Sequence, residues 1–133
     1  MGLDMYAFKI PADEPIRIET PEEEYGYEMS EKAEEFTYWR KNNALHGWME
    51  RLAEERHGWD AYEFNCTPMK LTEDDLDRLR SDILSKDSLK PTEGFFFGAQ
   101  VYLEEEKKQD LEFVEKSLSL IAQGFDIYYY AWW

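Results

Sequence analysis

Cysteine is nearly absent. The single Cys66 excludes an internal disulfide, and a cytosolic address follows as the default expectation. Long hydrophobic runs are missing as well. No stretch approaches the roughly 18 apolar residues that a membrane span needs, so no membrane association is expected. The opening MGLDMYAFKI has neither a basic region nor an extended apolar centre, which argues against a secretory signal. There is no phosphate-binding loop and no dinucleotide fingerprint, so no nucleotide cofactor is expected. Histidine is scarce. On a straight helix rising about 1.5 Å per residue, His46 and His57 stand roughly 16 Å apart and cannot share an ion. His46 with Glu50 supplies two ligands at most, so no metal is expected. Cys66 has no base at a recognisable spacing to make it a nucleophile.

Basic residues are also few: 15 Lys and Arg face 30 Asp and Glu, a formal net charge of −15. Such a field repels nucleic-acid phosphates and attracts basic protein surfaces, although acids also keep an aromatic-rich chain soluble. The imbalance is concentrated between Asp13 and Glu35. There Asp13, Glu14, Glu19, Glu22, Glu23, Glu24, Glu28, Glu31, Glu34 and Glu35 outnumber Arg17 and Lys32.

What is abundant is aromatic side chain, 17% of the chain within a hydrophobic total of 43%. That content excludes disorder despite the charge. At 133 residues it implies one domain around one core. Leu3 to Ile10 alternates loosely and is expected as a strand ended by Pro11. Residues 11–35 read as a Pro- and Glu-rich connection within the domain, with Thr20–Glu23 as a capped turn and Ser30 as a second helix start. Tyr62 to Leu71 suggests a short edge strand because of Pro68. Thr72 to Asp75 caps a helix whose stripe is Leu76, Leu79, Ile83 and Leu84. Gly94 to Gly98 encloses three phenylalanines in a short buried strand. A helix follows from about Leu103 to Gln123 with Leu111, Val114, Leu118 and Ile121 inward, stopped by Gly124. Phe125 to Trp133 reads as an aromatic strand, buried in the sheet or at a homo-oligomer interface. The expected fold is α+β: three or four mainly antiparallel strands with about three helices, mostly on one face.

The longest helical reading covers Phe36 to Arg56. It places Tyr38, Leu45, Trp48, Met49 and Leu52 on an apolar stripe and Trp39, Asn43, His46 and Glu50 nearly opposite, with Arg40 and Gly47 beside them. An indole, a guanidinium, an amide and an imidazole on one face suit stacking on a flat ligand and bonding its edge. The same residues equally suit packing against a second layer of the domain.

MGLDMY at the start, YWRKNNALHGW at 38–48, NC at 65–66, GFFFG at 94–98 and the closing IYYYAWW together resemble a family of small uncharacterised phage and prophage proteins. Members carry the label phosphoglycerate kinase, which a chain this short without a nucleotide loop does not fit. The resemblance runs patchily from end to end. It implies a phage context in a bacterial host cytoplasm and no established activity. In the family pattern, small hydroxyl residues and an acidic–aromatic pair follow the phenylalanines; here Ala99, Gln100, Val101 and Tyr102 stand there.

Two functions are compatible with these features. One is a non-catalytic interaction protein whose acids, Glu22, Glu23 and Glu24 among them, steer a host protein with a basic surface. It would act as a defence inhibitor or nucleic-acid mimic. The other is a nucleotide-like small-molecule site or a hydrolase built on Trp39, Arg40, Asn43 and His46.

Overall fold

A computed structural model describes residues 2–12, 33–85, 89 and 104–133. The fold is α+β, with four antiparallel strands and four helices among the described residues. In chain order these are β1 (Asp4–Pro11), β2 (Glu34–Arg40), α1 (Asn43–His57), α2 (Ala61–Phe64), β3 (Met69–Leu71), α3 (Glu73–Leu84), α4 (Glu104–Ala122) and β4 (Phe125–Trp132). The sheet order is β2-β1-β4-β3. The aromatic last strand therefore lies inside the sheet, paired with β1 on one side and β3 on the other. The edge strand expected over Tyr62 to Leu71 is shorter: Ala61–Phe64 is the helix α2, started by a reciprocal cap between Asp60 and Glu63, and only Met69–Leu71 pairs as β3, with Pro68 before it where a missing N–H costs no ladder bond.

The expected helix over residues 36–56 is not continuous. Phe36 to Trp39 is an aromatic and β-branched run in β2, with Trp39 opposite Met5, Tyr38 opposite Tyr6 and Thr37 opposite Ala7, while Phe36 falls at a register shift. Lys41 then takes a left-handed turn at φ 56. Asn42 caps the helix by accepting from the Leu45 N–H at 3.2 Å. Helix α1 thus starts at Asn43 and stops at Gly58, whose φ of 71 only glycine adopts cheaply. Further along, Thr72 and Asp75 cap α3 reciprocally, the Thr72 N–H donating at 2.8 Å and the Asp75 N–H returning at 3.2 Å.

One face of the sheet carries Leu3, Met5, Ala7, Trp39, Ile127, Tyr129, Ala131, Met69 and Leu71 into a core shared with α1, α2, α3 and α4. The α1 stripe Leu45, Trp48, Met49 and Leu52 is buried as the periodicity predicts, and so are Leu76, Leu79 and Ile83 of α3. Leu84 is not: it is exposed at the last residue of its helix. The α4 stripe is turned from the expected one. Asp110, Phe113, Val114, Ser117 and Leu120 are buried, while Leu111, Leu118 and Ile121 flank them. The acidic turn at 20–23, the Ser30 start, Glu22 to Glu24 and the GFFFG strand lie outside the described residues.

Candidate functional site

The four residues expected on one helix face lie on two elements and point different ways. Trp39 and Arg40 are neighbours at the end of β2, so the pleat sends them to opposite faces. Trp39 is buried in the core and Arg40 is exposed. Asn43 and His46 sit in the first turns of α1, and both are buried. Those turns are covered all round, which is why the mixed face is turned inward with the apolar one.

Two linked polar nodes occupy this part of the core. The first is Asp110 of α4, fully buried. It accepts from the Trp39 indole Nε1 at 3.0 Å and from the Asn42 amide Nδ2 at 3.0 and 3.1 Å. A buried carboxylate is tolerated only when its lone pairs are engaged, and these donors engage both oxygens. Asn42 also spends its own oxygen on the α1 cap, so one side chain ties the start of α1 to α4.

The second node is His46, 0% exposed. Its Nδ1 lies 2.7 Å from Tyr129 Oη and its Nε2 lies 3.1 Å from Glu50 Oε1. The ring stacks on Phe64 at 5.6 Å and meets the edge of Trp133 at 4.5 Å. Burial pushes the imidazole below its ordinary pKa, and the Glu50 carboxylate opposes this in part. Burial, helped by the charges of Glu50 and Asp110, holds the Tyr129 hydroxyl well above its usual pKa, so it stays a donor. With Tyr129 donating to Nδ1 and Nε2–H donating to Glu50, a neutral ring satisfies both neighbours. Tyr129 also tilts against Trp39 at 6.3 Å, which joins the two nodes.

The end of β4 is clasped over this node. Asn65 donates to the Trp133 carbonyl at 3.1 Å and accepts from the Trp133 N–H at 3.1 Å. Cys66, at φ 64, donates its N–H to Ala131 O at 2.9 Å. The lone cysteine thus extends the β3 pairing.

Asn42, Asp110 and Tyr129 escaped the sequence reading. An acid three residues before Phe113 and four before Val114 was the available signal, because it stands on the inward stripe of α4. Among the described residues, no group of three or more His, Cys, Asp or Glu side chains could hold a metal ion. No helix among them is long and apolar enough to cross a membrane. No family model, curated protein or solved structure matches the chain.

Proposed function

We propose that the chain is a non-catalytic, acidic interaction protein of phage origin that acts in a bacterial host cytoplasm and captures a host protein through that protein's basic surface. The charge carries this reading: 30 acids against 15 bases, on one small domain. The buried polar nodes support it indirectly. His46 and Asp110 bond within the core and give the fold rigidity, which leaves the exterior to do the recognition. A net charge of this size draws a cationic partner in from a distance and repels nucleic acid, so a protein that normally binds DNA or RNA is the natural target. The small-molecule alternative needs Arg40 and His46 around one ligand, and they lie on opposite sides of the sheet.

The test compares the wild type with the Glu22→Lys, Glu23→Lys, Glu24→Lys triple variant. Each is immobilised, exposed to host extract, and the captured protein is then titrated at low and physiological salt. The triple variant should bind more weakly and with a shallower salt dependence. Equal affinity and an equal salt slope would remove the proposal.

A further inference from the structure

The sheet face turned away from the helices carries a patch of aromatic rings, and we infer that it seats arginine side chains of the basic partner. The inference rests on the proposed function and locates its contact surface. Pairing across β2, β1 and β4 sets Tyr38, Tyr6 and Tyr130 abreast, with Phe8 opposite Tyr128 in the row behind and Arg40, Asp4 and Trp132 in the row ahead. The ring centroids are close: 5.2 Å from Tyr6 to Tyr38, 6.2 Å from Tyr6 to Tyr130 and 6.4 Å from Phe8 to Tyr130. The far end of this face is buried at Ile10 and Tyr128, but the near end is open, with Tyr38 43% and Trp132 46% exposed.

A sheet with helices on one face ordinarily turns polar side chains outward on the other. A continuous run of rings there, half-buried at Tyr6, Phe8 and Tyr130 and exposed at Tyr38 and Trp132, marks a binding surface. The chemistry narrows the occupant. Rings also suit stacked nucleobases and sugars, and an apolar patch suits lipid. Nucleic acid and anionic lipid are both opposed by a charge of −15, and a neutral sugar gains nothing from it. A guanidinium is favoured twice: the field attracts it, and its flat face stacks on a ring. Asp4, between Arg40 and Trp132, supplies a local carboxylate, already held by the Tyr38 hydroxyl at 2.6 Å. Arg40 on the β2 side repels an incoming cation, so the seat lies between Asp4 and Trp132.

The experiment titrates the isotope-labelled chain with a nona-arginine peptide, and in parallel with nona-lysine, a nine-residue oligouridine and a neutral glucan hexamer, following backbone and indole amide signals. Nona-arginine should shift Trp132, Tyr130 and Tyr6 first and bind more tightly than nona-lysine. The Tyr130→Ser, Trp132→Ser double variant should lose about tenfold in affinity. Arg40→Ala should tighten binding, a gain that misfolding cannot mimic. Shifts confined to the acids of α3 and α4, unchanged affinity in the double variant, weaker binding by Arg40→Ala, or preference for the oligouridine or the glucan would each overturn the inference. If the double variant still captures the host protein and the Glu22, Glu23, Glu24 reversal does not, the seat is wrong while the proposed function stands. If no cationic probe binds in a salt-dependent way, both fall.

Discussion

Asp110 is the side chain on which the largest loss should concentrate. Removing it strands the Trp39 N–H and the Asn42 amide in the core, and a buried orphan donor costs about 1–3 kcal/mol. Asp110→Ala should therefore lower the unfolding free energy by about 3 kcal/mol in urea titration, whereas Glu112→Ala, exposed on the same helix, should stay within about 0.5 kcal/mol. Adding Trp39→Phe to Asp110→Ala should cost less than the two single losses predict, because the orphaned donor disappears with the indole. His46 sets a pH window. Its folded pKa is held below the unfolded value near 6.5, so below that pH the unfolded chain binds the extra proton. Stability from this group is complete above about pH 6.5 and falls as the pH drops, with a slope of at most about 1.4 kcal/mol per pH unit. His46→Gln should flatten the decline between pH 6.5 and 5. A second loss, in a more acidic window, belongs to Asp75. Burial alone would raise its pKa, but Arg56 and Thr72 outweigh burial and hold it below the usual carboxylate value.

At the scale of elements, a helix side chain engages one backbone carbonyl on each edge strand of the sheet. Gln109 of α4 donates to the Tyr38 carbonyl on β2 at 3.0 Å, and Arg56 of α1 donates to the Lys70 carbonyl on β3 at 2.7 Å. Edge strands with free carbonyls pair with other chains, so these two contacts oppose association. Gln109→Ala should raise concentration-dependent self-association, read by sedimentation velocity, more than Gln123→Ala, whose amide bonds Ser119 within its own turn. The alternation of β1, the caps of α3, the bounds of α4 and the strand nature of Ile127 to Ala131 were legible because each is encoded locally, in alternation, capping residues or a stop glycine. The β2 to α1 junction was not. Aromatic residues at Phe36, Tyr38 and Trp39 fit either period, and what decides between them is pairing with β1, a contact distant in sequence. The candidate face failed for the same reason. Trp39, Asn43 and His46 meet partners on α4 and β4, which no local pattern reveals.

The whole molecule carries its charge at two levels that respond oppositely to salt. Internally, a net charge of −15 on one small domain sets acid against acid, which destabilises the compact state. Raising ionic strength from about 0.01 M to about 0.15 M shortens the screening length from about 30 Å to about 8 Å, so repulsion across the domain is largely removed. The thermal midpoint should rise by a few degrees over that range. Local pairs such as Arg78–Glu55 at 3.0 Å and Arg80–Glu115 at 2.9 Å lie within the shorter length, but they are exposed and worth under about 1 kcal/mol each, so their weakening does not reverse the trend. Externally, capture of a basic partner should weaken over the same range, because the field that steers the encounter is screened. Differential scanning calorimetry and binding titration on one sample series separate the two. A midpoint that falls with salt would mean that ion pairs, not repulsion, dominate the surface. Capture that ignores salt would take the acidic field out of recognition, and the proposed capture of a basic surface would fall with it.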